Sequence, residues 1–192
     1  MTLPPKLSDE SLRALVEEKL VNDPDFMPQS LAEKLGIPLR RIIESLPDDM
    51  RSRAPGEAAV PIWEAMTEWE KVTFMAGTPG AILEIPCRLP KGALGHGMYN
   101  LMDTNSALRG HLLMDKVDSV WFVSKRVFGM ESHSVQFYDA EGGQCFGVYL
   151  GRDEERRIIA SVKEGFFTLK ALYAGGDCCK KNGVCRCERG HS

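Results

Sequence analysis

Apolar residues recur at helical spacing three times within residues 1–50. Leu12, Leu15, Val16 and Leu20 follow Ser8, whose hydroxyl suits an N-cap, and Asp23-Pro24 ends the run. Residues 29–35 bury Leu31, Ala32 and Leu35, with Gly36 suited to the left-handed position that closes a helix. Pro38 opens a third segment that sets Leu39, Ile42, Ile43 and Leu46 on one face, and Pro47-Asp48-Asp49 stops it. Residues 51–60 break both periods and read as a linker. Trp63, Met66 and Trp69 then carry the spacing of a short amphipathic helix.

Beyond that helix the period changes to two. Strands are expected over 71–76, 81–88, 98–102, 108–114, 117–124, 134–139 and 145–150, which are rich in β-branched and aromatic residues and parted by Gly, Pro, Asn and Asp. Ala140-Glu141-Gly142-Gly143-Gln144 reads as a hairpin connection. Closely spaced strands without helices between them imply an antiparallel sheet. A last helix, with Val162, Phe166, Leu169 and Tyr173 in its buried stripe, follows the charged run 152–157 and would cover one sheet face. The expected class is α+β: a helical N-terminal segment over 1–50, an antiparallel β domain with a C-terminal covering helix over 61–174, and a Cys-rich tail over 175–192.

Composition narrows the function classes. A chain of 192 residues with 43% hydrophobic and 27% charged residues suits one domain with a full core. Its net charge of −3 gives no reason to expect nucleic acid or an anionic membrane surface. The trihelical segment has a helix-turn-helix look, with Arg40 and Arg41 at the start of the third helix, where a recognition helix would meet DNA. Yet it carries six basic against ten acidic residues, so a packing or dimerisation module is the preferred reading. The N-terminus lacks an apolar leader core, and no stretch is long and apolar enough to span a bilayer, so a cytoplasmic protein is expected.

The candidate chemistry centres on histidine. In 108–114, alternation puts Arg109, His111 and Leu113 on one face. An imidazole flanked by a cation and an aliphatic group suits a planar, apolar, anionic ligand such as iron-porphyrin, although a strand histidine bonded to a backbone carbonyl fits the pattern as well. His96 lies in the glycine-dense loop Gly92-Ala93-Leu94-Gly95-His96-Gly97, which is either a close-approach cradle or a turn with positive φ. His133 reads as a solvated strand start. Cys178, Cys179, Cys185, Cys187 and His191 offer zinc-type ligands at spacings unlike those of common zinc sites, or form a thiol-bearing tail. There is no Cys-x-x-Cys-His, no nucleophile elbow, no His-Glu-x-x-His and no phosphate-binding glycine loop.

The ordered blocks Ala81-Ile82-Leu83-Glu84-Ile85, Leu89-Pro90-Lys91-Gly92-Ala93-Leu94-Gly95-His96-Gly97-Met98-Tyr99-Asn100-Leu101, Gly110-His111, Phe128-Gly129-Met130-Glu131-Ser132 and Val148-Tyr149-Leu150-Gly151-Arg152-Asp153-Glu154-Glu155-Arg156 strongly resemble bacterial haem-utilisation proteins of the HutX/ChuX type. The resemblance runs to about residue 172 and leaves out only the tail. It implies a fold like one repeat of the larger HemS-type proteins, a cytosolic homodimer, and non-covalent binding of haem b for transfer from an uptake system to storage or to a haem-degrading partner. Of the family's two haem histidines, one matches His111. The other falls in Met75-Ala76-Gly77-Thr78, where Gly77 stands in its place. Three outcomes are open: the iron sits on His111 alone, Met75 or His96 supplies a weaker second ligand, or haem binding is attenuated; Arg109 is the candidate for the propionates. A porphyrin-opening enzyme and a regulatory module built on the helices or the tail are the competing readings.

Overall fold

The computed structural model describes residues 7–78 and 80–174. Three helices come first: α1 (Asp9–Asn22), α2 (Pro28–Leu35) and α3 (Leu39–Glu44). Ser8 Oγ accepts from the Ser11 amide and caps α1, Gly36 closes α2 in the left-handed conformation, and Pro38 precedes α3, as the sequence leads one to expect.

Residues 51–60 are not a linker. Arg51–Pro55 form β1, an edge strand, and a single 3₁₀ turn leads directly into α4 (Ala59–Met66). The strand escapes pattern reading because only Ala54 is buried, and its extended form comes from pairing with β7 (Ser119–Ser124). The remaining strands of the large sheet are β2 (Val72–Thr78), β3 (Ala81–Cys87), β8 (His133–Tyr138) and β9 (Gln144–Leu150), in the antiparallel order β1-β7-β8-β9-β2-β3. A separate small sheet contains β4 (Gly92–Gly95), β5 (Met98–Leu101) and β6 (Gly110–Leu112). β4 occupies the glycine-dense loop of the sequence reading, and β6 is three residues long where seven were expected. The final helix, α5 (Ala160–Ala174), buries Val162, Phe166 and Leu169.

Strand alternation gives the large sheet two different faces. One carries Val72, Phe74, Phe122, Val135, Phe137, Phe146 and Val148 into the main core, closed by α4, α5 and the small sheet. Trp63 is the hub, meeting Phe74, Tyr99 and Phe146 edge to face at 6.3, 6.5 and 5.9 Å. The opposite face contributes Trp121, Val123 and Tyr138 to a second core with Leu12, Val16, Phe26, Ile42, Ile43 and Leu46 of the helical segment. Arg40 fixes that segment to the sheet: its guanidinium reaches Asp118 Oδ2 at 2.6 Å and donates to the carbonyls of Asp139 and Ala140. Arg41 bonds Asp9 and the Leu7 carbonyl. Both arginines are thus engaged within the chain. The helices cover only part of their face, and the remainder, floored by β2, β3, β8 and β9, stays open.

His133 is buried, contrary to the solvated strand start expected for it. Its ring lies against Phe166 and Phe167, Nδ1 pairs with Ser124 Oγ and Nε2 with Glu131 Oε1, both at 2.8 Å. Lys163 of α5 reaches the same carboxylate oxygen at 2.6 Å, and these partners hold the Glu131 carboxyl below its ordinary value of 4.5. The long-range packing of α5 on β8 accounts for this burial, and strand alternation alone carries no sign of it.

Candidate functional site

The small sheet is organised by what it buries. Tyr99 of β5 and Leu112 of β6 are paired across the strands, and both sides point into the main core. The next pair, Asn100 and His111, therefore points outward. A register slip of one residue would set His111 opposite Tyr99 and put both rings on one face. His111 is exposed, and its Nδ1 lies 2.7 Å from Asn100 Oδ1. Asn100 Nδ2 donates to the carbonyls of Ala93, Gly95 and Met98 at 3.2, 3.1 and 3.4 Å. Among the described residues, His111 Nε2 makes no hydrogen bond.

His96 sits at the tip of the β4–β5 hairpin. His96 and Gly97 have φ of 54° and 76° and form a two-residue connection between Gly95 and Met98. Positive φ at both central positions is the type I′ pattern, so the Gly-His-Gly sequence is spent on the turn. Gly92, at the start of β4, has another reason: a Cβ there would lie 2.2 Å from the Asn100 carbonyl oxygen. Arg109 precedes β6, and its guanidinium turns back onto the Thr104 and Ser106 carbonyls. Leu113 follows β6 and leads into a 3₁₀ turn. The expected row of Arg109, His111 and Leu113 thus extends past both ends of a strand that covers only its middle member.

Met75 lies elsewhere. With Thr73 and Gly77 it faces the open part of the large sheet, where a cleft of about 700 Å³ lies between the strands, the start of α2 and the loop 126–132. Its apolar lining includes Met27, Met75, Ile82, Val127, Phe128 and Met130, and Lys71, Lys125 and Arg152 supply cations. Lys125 is already engaged with the Pro24 and Arg126 carbonyls and sits 4.5 Å from the centre of the Phe26 ring, and burial lowers its pKa. Two polar atoms bordering the cleft, Gln29 Oε1 and Gln144 Nε2, are buried without a hydrogen-bond partner among the described residues. Burial raises the Tyr149 hydroxyl, while hydrogen bonds from Gln29 and Ser134 pull it back. Gly77 is exposed, has no positive φ, and leaves open space where a side chain would project. His96, Arg109 and His111 do not line this cleft. The structure therefore divides the sequence candidates between two locations.

The cleft and Asn100 both escaped the sequence reading. The cleft gathers residues from α2, β2, β3, β8, β9 and a loop, which no local pattern joins. Asn100 did leave a trace, as a lone amide between the apolar Tyr99 and Leu101 in a short strand. Cys178, Cys179, Cys185, Cys187 and His191 lie outside the described residues, and among the described residues there is no cluster of three or more metal-binding side chains. Nor is any described helix long and apolar enough to cross a membrane.

Residues 52–167 match the family described as haem utilisation ChuX/HutX. The chain is 38% identical over 150 residues to the intracellular heme transport protein HutX of Vibrio cholerae, covering 78% of each chain. The solved structure of the heme binding protein ChuX superposes with a TM-score of 0.74 at 28% identity, over 84% of this chain and 98% of that one. A likeness in fold alone extends to ChuS, an Escherichia coli heme oxygenase, with a TM-score of 0.68 at 18% identity over 82% of this chain and 48% of that one. The α+β fold expected from the sequence is thus the ChuX fold, spanning about half of the larger protein.

Proposed function

Because the chain belongs to the haem-utilisation ChuX/HutX family, we propose that it binds haem b non-covalently and carries it between proteins in the cytoplasm, with His111 Nε2 as the iron ligand. The observation that carries the assignment to His111 is the outward-facing imidazole with its second nitrogen free, on a strand whose register is fixed by buried Tyr99 and Leu112. Neutral imidazole is a common axial ligand of haem iron, and exposed Arg109 is the cation nearest in sequence for the propionates. His96 is the alternative for a second ligand on that iron, and Met75, in the separate cleft, belongs to the second reading. The acceptor would be a haem-degrading or haem-storing protein.

The cleft favours a second reading of where the porphyrin lies. A volume of about 700 Å³ with an apolar wall, a thioether at Met75 and cations at Lys71 and Arg152 suits a flat amphipathic anion. Hemin titration of the wild type, His111→Ala and Met75→Leu separates the two. Loss or shift of the Soret band in His111→Ala alone supports the first reading; loss in Met75→Leu alone moves the iron to the cleft. Incubation of the hemin complex with reductant and oxygen tests carriage itself, for a carrier keeps its Soret band and a ring-opening enzyme bleaches it.

A homodimer belongs to the same proposal. β3 is an edge strand of the large sheet, and it presents Ile82 and Leu83 to solvent at 71% and 53% exposure. Sedimentation equilibrium of the wild type and Leu83→Lys tests it, the substitution being expected to yield monomer.

A further inference from the structure

We propose that Asn100 is the positioning residue of His111: it selects the tautomer that carries its proton on Nδ1 and thereby presents Nε2, as a lone pair of fixed direction, to the ligand. The inference rests on His111 as the iron ligand and adds what makes it competent.

The argument starts from the amide. Asn100 Nδ2 faces three backbone carbonyls, those of Ala93, Gly95 and Met98, which can only accept. This arrangement fixes which end of the side-chain amide is nitrogen. The other end, Oδ1, then faces His111 Nδ1 at 2.7 Å, and an amide oxygen can only accept. Nδ1 must therefore be the donor. In the neutral ring this leaves Nε2 unprotonated and free to coordinate a metal. The chain of constraint runs from the β4–β5 hairpin, through one amide, to the ring nitrogen three bonds from the hydrogen bond. A side chain held at one nitrogen also loses less rotamer freedom on coordination, and an acceptor partner of this kind raises the basicity of the coordinating nitrogen.

Asn100 is suited to this because it sits opposite His111 in the β5–β6 register. The close approach of β4 to β5, which requires Gly92, brings two of the three carbonyls within reach of its Nδ2. Glutamine at this position would be one methylene too long to satisfy both sides, and serine could hold only one.

The test uses the full chain and has a readout that needs no haem. Long-range proton–nitrogen correlation spectra of unliganded protein, at a pH well above the ordinary imidazole value, are expected to show His111 protonated at Nδ1, and in Asn100→Ala to show the ring moving to the Nε2-protonated form. A wild-type ring protonated at Nε2 overturns the proposal, whatever hemin does. In hemin titrations, Asn100→Ala should bind about 10- to 100-fold more weakly, the usual loss for such a partner. Asn100→Asp keeps the acceptor but not the amide nitrogen that donates to the hairpin carbonyls. It should restore binding and raise the iron–histidine stretching frequency of the ferrous complex. If Asn100→Asp binds as weakly as Asn100→Ala with that frequency unmoved, the residue serves only the hairpin and the proposal is wrong. Undiminished hemin binding by His111→Ala would overturn the iron-ligand reading beneath it, and the tautomer spectra would then still decide the hold of Asn100 on the ring.

Discussion

Trp63 and Tyr99 meet at 66° with ring centroids 6.5 Å apart, and through this contact the small sheet is fastened to the main core. Tyr99 is almost wholly buried although its strand is only four residues long. Replacing Tyr99 by alanine empties a large aromatic volume between α4 and β5. A loss of about 3 to 5 kcal/mol is expected, the range for aromatic truncation in a core. Urea unfolding measures it, and hydrogen exchange should show the amides of β4 to β6 losing protection before those of the large sheet.

Two glycines should respond to a side chain in opposite ways. Gly92→Ala forces a Cβ against the Asn100 carbonyl oxygen, so the hairpin must shift, at a cost of about 1 to 3 kcal/mol. Gly77→His meets open space, and its stability should stay within about 0.5 kcal/mol of wild type. That variant also projects an imidazole into the cleft. Thermal unfolding checks both expectations, and hemin titration of Gly77→His is expected to show tighter uptake if the porphyrin lies in the cleft and unchanged uptake if it lies at His111.

The Glu131 carboxylate should make stability depend on acid. Hydrogen bonds from Lys163 and His133 lower its pKa from the ordinary 4.5. A depressed carboxylate contributes stability that is fully present above 4.5 and is lost as the pH falls through the lowered value. Half of the side chain is exposed, so solvent screens the pair and the contribution is below about 1 kcal/mol. Urea midpoints measured from near neutrality down into acid should fall less steeply in Glu131→Gln than in wild type.

The two cysteines of the β sheet should be poor nucleophiles. Burial pushes the Cys145 thiol up to about 11, with Asp139 adding to the rise, and burial also raises Cys87. Thiolate is the reactive form, so alkylation of the native protein near neutral pH should leave both untouched, and denaturant should restore their reactivity. Peptide mapping by mass spectrometry resolves each site. Rapid native labelling of Cys145 would contradict the burial that accounts for its shift.

What could be read in advance was whatever the local chain enforces. Ser8, Gly36 and Pro38 punctuate helices by their own chemistry, so α1, α2 and α3 were legible residue by residue. The strands with alternating β-branched and aromatic residues were legible too. β1 was not, since Arg51-Ser52-Arg53-Ala54-Pro55 offers one buried position and depends on β7 for its extension. β4 was hidden because Gly92 and Gly95 are set by the approach of β5 and by the turn, both of which are tertiary facts. The candidate site was half legible. His111 stood out as a histidine in a short strand, whereas its partner Asn100 is defined only by the β5–β6 register, and the cleft only by packing of the helices on part of one sheet face.

The exposure of His111 bears on timing. Among the described residues nothing covers this imidazole, so if it is the iron ligand proposed above, arrival would be set by encounter and departure by breaking the metal–nitrogen bond. An acceptor protein can approach the same open side and offer its own ligand before the first has let go. On this account, hand-over would proceed by exchange in a shared encounter complex, and its rate should rise with acceptor concentration, with no ceiling set by spontaneous release.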